Sequence, residues 1–247
     1  MIKSKINAFI AKYSLGGTIE SVKWDIKNKE LKTSFYSPDK VLLGSVRMNG
    51  IELDDTEIGI TDTTQLKSLL GVLNEEVELE LISEENSNRT TSISINDKFT
   101  KVNYMLGELT TIPNTPPLKG IPEFQIEIPI TKEFVDRFIK AKNALGDAET
   151  FTLVQGNDDK LKLIIGYSSI NSNRISIDIE ANPDKDKLNG TPLSFSAKYF
   201  KEVLHANSEC KDAVFYVSHK GLAYVEFGSL KSEYQSKYYF VKIATEE

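Results

Sequence analysis

The chain is poor in the residues that make covalent or catalytic signatures. It has one cysteine, Cys210, so no disulfide can close within it, which suits a reducing compartment. Its two histidines, His205 and His219, stand at no motif spacing from Cys210 or from a carboxylate, and each reads as a surface residue. Glycine loops of the G-x-x-x-x-G-K-[ST] and G-x-G-x-x-G kinds do not occur. Asp184 and Asp186 begin like a calcium loop, but the twelfth position is Phe195 where a glutamate is needed. Asp54-Asp55 and Asp158-Asp159 read as turn residues. No apolar run approaches the ~18 residues of a spanning helix. The stretch MIKSKINAFIAKYSLGG is interrupted by Asn7 and Lys12, which makes it too polar for a signal peptide. The expectation is a cytoplasmic, non-catalytic protein with no cofactor, no metal and no membrane partner. A hydrolase built from dispersed carboxylates would leave no motif and stays open as a rival.

What is present describes a folded protein. The 247 residues are 40% apolar and 27% charged, enough for one large domain or two of ordinary size. The net charge of −6 argues mildly against nucleic acid, but a sum does not say where charges sit.

Four of the eight prolines fall in GELTTIPNTPPLKGIPE, residues 107–123. Proline fixes φ and lacks an N–H, so this run is neither a helix interior nor a central strand. It reads as an extended, semi-rigid linker at 109–123 between domains at 1–108 and 124–247.

The two sides follow one plan. Ile2, Ile6, Phe9, Ile10 and Tyr13 mark a helix that Gly16-Gly17 ends. β-like runs follow at 19–26, 30–36 and 41–48. Asp62, with Gln65 three residues on, caps a helix whose apolar face is Leu66, Leu69, Leu70 and Leu73. Runs around Val77-Leu81, Ile93-Ile95 and Val102-Leu106 close the first half. Beyond the linker come a strand at 126–130, a helix capped by Thr131 and ended by Gly146, and strands at 150–154, 161–166 and 175–179. Ser196 caps a fourth helix, and strands at 213–217, 222–227 and 238–243 finish the chain. Each half thus reads helix, strands, helix, strands. The fold class is α+β, in two similar domains.

Charge is distributed unevenly. The four helix windows carry ten basic residues: Lys3, Lys5, Lys12, Lys67, Lys132, Arg137, Lys140, Lys142, Lys198 and Lys201. Against them stand only Glu133, Asp136 and Glu202, so the helices sum to +7 and the rest of the chain to −13. One basic helix is ordinarily just a solvated face. Four in an acidic protein suggest a surface that attracts phosphates while the remainder repels them, without sequence preference.

In this order the segments resemble the DNA sliding clamps of the two-domain, trimeric kind, which include proliferating cell nuclear antigen and the clamps of tailed bacteriophages. The resemblance rests on KGIPEFQIEIPITKEFVDRFIKAKNALGDAETFTLV, TPLSFSAKYFKEVLHAN, GLAYVEFGSL followed by SKYYFVKIATEE, and YSPDKVLLGSVRM. It implies a DNA clamp fold, with two helices packed on antiparallel sheets in each domain, closing into a homotrimeric ring around duplex DNA. The helices would line the hole, with the ten cations above on the DNA. The implied function is processivity in DNA replication, with a DNA polymerase and an ATP-dependent clamp loader as partners. A partner-peptide pocket would be formed by Val41, Leu42, Leu43, Leu109, Ile112, Leu118 and Ala244. Subunits would pair strand edges through Val102, Tyr104 and Leu106 on one side and Ile175, Ile177 and Ile179 on the other. An Asn-, Ser- and Lys-rich composition suits a phage with an AT-rich genome, in the host cytoplasm. A β-rich tail or baseplate protein is the alternative; it would not need basic helices.

Overall fold

The computed structural model describes residues 1–84, 89–156, 160–168, 173–180, 188, 190–210 and 213–244. By contact the chain divides into two compact units. The first holds Met1–Pro38, Gly44–Pro116 and Gly228–Ser236; the second holds Asp39–Leu43, Pro117–Phe227 and Lys237–Glu247. The changeover between Pro116 and Pro117 falls inside the expected linker. The units are discontinuous where the sequence reading has simple halves, because each takes in one short segment from the opposite end of the chain.

The first half runs α1 (Lys3–Ser14), β1 (Val22–Lys27), β2 (Glu30–Tyr36), β3 (Leu42–Asn49), β4 (Thr56–Ile60), α2 (Thr63–Gly71), β5 (Glu78–Ser83), β6 (Thr90–Asn96) and β7 (Lys101–Met105). The second runs β8 (Ile126–Ile130), α3 (Lys132–Ala144), β9 (Thr150–Gln155), β10 (Leu161–Ile165), β11 (Ile175–Asp178), β12 (Leu193–Ser196), α4 (Ala197–Ala206), β13 (Ala213–Val217), β14 (Leu222–Gly228) and β15 (Tyr234–Val241). After β8 the two halves repeat one order of elements. The sheet order repeats too: β4-β1-β2-β3 with β5-β6-β7, then β12-β9-β10-β11 with β13-β14-β15, β8 being added beside β13. Each four-stranded set has the 4-1-2-3 order of a Greek key. The sequence reading misses β4 and β12, and they occupy the same place in the repeat.

In the first unit α1 packs on α2. Phe9 meets Tyr13 and Trp24 edge-on at 5.6 and 5.7 Å between ring centres, over buried Ile6, Ile10, Leu66 and Leu70. In the second unit α3 packs on α4 around Phe134, Phe138, Phe151, Phe200 and Phe215, with Phe138 and Phe200 edge to face at 4.9 Å. Rings in this geometry add about 1 kcal/mol per pair beyond the area they bury.

Local chemistry sets the helix ends. Asp62 accepts the Gln65 N–H at 2.7 Å, Thr131 the Phe134 N–H at 3.1 Å, and Ser196 the Tyr199 N–H at 3.3 Å. No side chain caps α1 from its own N-cap, Ile2. Glu75, far along the chain, supplies the cap instead: its carbonyl takes the Lys3 N–H at 2.7 Å and its carboxylate the Ser4 N–H at 2.9 Å. Bonds from Ser4, its hydroxyl first and then its backbone N–H, hold the Glu75 carboxyl below the usual carboxylate range, with Lys3 adding to the effect.

The linker begins at a bridge between Gly107 and Gly59, whose backbones approach so closely that a Cβ on Gly59 would lie 2.6 Å from the Gly107 oxygen. A 3-10 turn at Leu109–Thr111 follows, and Lys23 holds Asn114 at 2.6 Å. Among the described residues, no helix is long and apolar enough to cross a membrane.

Candidate nucleic-acid interface and partner surfaces

The ten helix cations fall into distinct environments. Lys67, Lys132, Arg137, Lys140 and Lys198 are exposed, and Lys201 is half-buried. Lys198 lies 5.8 Å from the Tyr199 ring centre. Lys142 is buried and turns back along α3, where its Nζ donates to the Gly146 oxygen at 2.7 Å. That bond satisfies a carbonyl at the helix end and places a cation at the negative pole of the helix. Lys12 is also buried, against the Tyr234 ring. Lys3 donates to the Leu73 oxygen, and Lys5 is paired with Glu233. The basic windows are therefore where the sequence reading places them, but Lys12 and Lys142 do not present free ammonium groups to solvent. Burial of this kind depends on tertiary neighbours and leaves no mark in a count of charges.

The two expected interface segments are both sheet edges. β7 ends the β5-β6-β7 sheet, and β11 ends β11-β10-β9-β12. The Leu106 N–H goes to Thr91 and the Ile179 N–H to Leu161. Strand alternation then turns the backbone groups of Val102, Tyr104 and Leu106 toward β6, and those of Ile175, Ile177 and Ile179 toward β10. The side chains of Val102, Tyr104, Ile177 and Ile179 are buried, and those of Leu106 and Ile175 half-buried. The groups that face the open edges belong to Lys101, Asn103 and Met105 on β7, and to Ser176 and Asp178 on β11. The resemblance places the interface on these two edge strands through their apolar positions, and those positions point inward.

β3 and β15 occupy the places in the repeat that correspond to β11 and β7, and these two edges are filled. Within the first unit the Asn49 N–H bonds Glu233 at 2.9 Å, and within the second the Val241 N–H bonds Val41 at 2.8 Å. Arg47 on β3 fixes the 228–236 segment in the first unit, bonding Ser229 at 3.0 Å and Gln235 at 3.3 Å, with Glu30 at 3.0 Å and Asn49 at 2.8 Å.

Of the expected peptide-pocket residues in the second unit, Leu42 is buried, Val41 and Leu43 are half-buried, and Leu118 and Ala244 are exposed. Ile112, in the first unit, is buried and Leu109 half-buried. Sequence reasoning misses an aromatic ladder in the second unit. Phe124, Tyr224, Tyr239 and Tyr216 lie half-buried on β13, β14, β15 and the chain entering β8. Tyr224 stacks with Tyr239 at 4.7 Å, with Phe124 at 6.0 Å and with Tyr216 at 6.2 Å. Burial, then the Glu226 carboxylate that accepts its hydroxyl, raises the Tyr224 pKa. The signal available in sequence is aromatic residues at alternate positions of neighbouring strands. Among the described residues no group of His, Cys, Asp or Glu could hold a metal ion, and Asp158, Asp159, Asp184 and Asp186 lie outside them.

No protein-family model matches the sequence, and no curated protein matches it. Solved structures match over the whole chain. A chain of the C-terminal region of FEN-1 bound to A. fulgidus PCNA superposes with a TM-score of 0.70 at 13% identity, covering 100% of this chain and 98% of that one. A chain of the PCNA2–PCNA3 complex from Sulfolobus tokodaii gives 0.70 at 13%, covering 98% and 97%. The proliferating cellular nuclear antigen from Entamoeba histolytica gives 0.71 at 12%, covering 98% and 96%. With its four helices on antiparallel sheets and its repeated strand order, this chain has the α+β fold of the PCNA sliding clamps.

Proposed function

We propose that the chain is a DNA sliding clamp: a ring-forming processivity factor that encircles duplex DNA and tethers a polymerase and other partners to it. The observation that carries this reading is the unequal use of the repeat. β3 and β15 pair within one chain, while their counterparts β11 and β7 end in open edges. An open edge is a liability unless something pairs with it. Pairing β7 of one copy with β11 of the next repeats the strand pairing that β15 and β3 make, and a head-to-tail contact gives a ring when the rotation from copy to copy closes. Three copies give six repeats and twelve helices.

The helix cations would then face the phosphates. Lys and Arg contacts to phosphate carry no sequence information and exchange readily, which permits sliding. A closed ring holds DNA by topology and needs an ATP-dependent loader to open it. The A. fulgidus neighbour is seen with the C-terminal region of FEN-1 bound. A partner's C-terminal peptide is the corresponding ligand here, and the half-buried aromatic ladder with the exposed Leu118 is its seat in the second unit. The protein supplies no catalysis of its own and needs no cofactor.

The test is retention. Protein loaded on a nicked circular duplex should stay with it through gel filtration and leave once the circle is cut. Protein that remains on the cut linear DNA would be binding it directly, and the encircling reading would fail.

A further inference from the structure

We propose that the phosphate contacts are made by the second unit's helices, α3 and α4, together with Lys67 of α2, and that the three lysines of α1 serve the fold of the first unit instead. This rests on the clamp reading and makes the two units unequal partners of the DNA.

The distinction lies in what each cation already touches. On α1, the Lys3 ammonium donates to the Leu73 carbonyl beyond α2, and Lys5 is paired with Glu233 while its backbone oxygen accepts the Tyr234 hydroxyl at 3.2 Å. Lys12 is 1% exposed, with its Nζ 5.2 Å from the Tyr234 ring centre. All three hold either the end of α2 or the 228–236 segment. A phosphate could recruit them only by breaking those contacts, and for Lys12 only by opening the core.

Apart from Lys142, which is buried and bonds Gly146, the lysines and the arginine of α3 and α4 are unspent. Lys132, Arg137, Lys140 and Lys201 have no hydrogen bond or ion pair among the described residues, and Lys198 only lies beside its neighbour's ring. The acids of the same helices, Glu133, Asp136 and Glu202, form no salt bridge with them. Lys67 is likewise exposed and unpaired among the described residues. An ammonium or guanidinium that gives up only water on meeting a phosphate contributes its full counterion release.

The experiment is duplex binding by fluorescence anisotropy across a salt series, with a short linear labelled duplex and the full-length protein. One variant replaces Lys132, Arg137, Lys140, Lys198 and Lys201 with Gln; the other carries Lys3→Gln and Lys5→Gln. All of these side chains except Lys201 and the α1 pair are exposed, and melting curves report whether each variant is folded. The first variant should flatten the slope of log affinity against log salt by about four. The second should leave the slope unchanged to within about one and lower the melting temperature. A loss of slope of nearly two in the α1 variant, the full share of two phosphate contacts, would overturn the inference, as would an unchanged slope in the first. A wild-type protein with no measurable affinity for the duplex even at low salt would also overturn the inference, since no phosphate contact would then exist, whereas the clamp reading stands or falls on retention by circular DNA.

Discussion

The Nζ of Lys12 lies 5.2 Å from the centre of the Tyr234 ring, and the lysine is almost wholly buried. A residue that sequence assigns to a solvent-facing basic helix is thus a core residue, holding the 228–236 segment on α1. Lys12→Ala should destabilise the protein by about 2 kcal/mol through lost packing and cation–π contact. Urea denaturation measures this; a change below about 0.5 kcal/mol would mean that the contact does not hold the segment.

Arg47 makes a planar fork of bonds to Glu30, Asn49, Ser229 and Gln235. Lysine keeps the charge and loses the fork. Arg47→Lys should therefore cost about 2–3 kcal/mol, nearly as much as Arg47→Ala, because partly buried acceptors lose their donors. Full rescue by lysine would show that only the charge matters.

The depressed pKa of Glu75 gives a pH dependence of definite sign. The native carboxylate stays charged where the unfolded one takes up a proton. Its contribution is full above the unfolded value of about 4.3 and is lost as pH falls through the lower, native value. Glu75→Gln should lower stability at neutral pH and narrow its gap to wild type in acid. Parallel melting curves at all pH values would remove Glu75 as the cap of α1.

Much of the fold is legible because its signals are local. Asp62, Thr131 and Ser196 cap helices three residues from their partners, and alternating apolar positions mark β2, β8 and β13. β12 is short, and β4 carries Gly59 where Gly107 approaches, so neither has a run long enough to read as a strand. The charges were harder. Lys12 and Lys142 differ from Lys140 only in what the tertiary fold brings beside them. The cap of α1 comes from Glu75, some seventy residues away, and the ladder forms only when three strands align.

The Tyr224–Tyr239 stack is expected to anchor a partner's C-terminal peptide. Tyr239→Ala should weaken binding of a polymerase C-terminal peptide about tenfold or more, since buried aromatic anchors dominate such contacts. Leu118→Ala should act in the same direction more weakly. Titration calorimetry reads both; equal affinity in Tyr239→Ala and wild type would move the pocket elsewhere.

Open edges on β7 and β11 make ring closure the central claim. Asp178 turns its N–H to the open edge, so Asp178→Pro removes a donor there and spares the bonds to β10, whereas proline at Ile177 would strike the inward side. Native mass measurement with particle imaging is the most direct test. The wild type should be a three-fold ring of about 83 kDa, three times the 27.7 kDa chain, and Asp178→Pro should be a folded monomer. A wild-type particle that is a monomer at every concentration, or an open tube, would contradict the account.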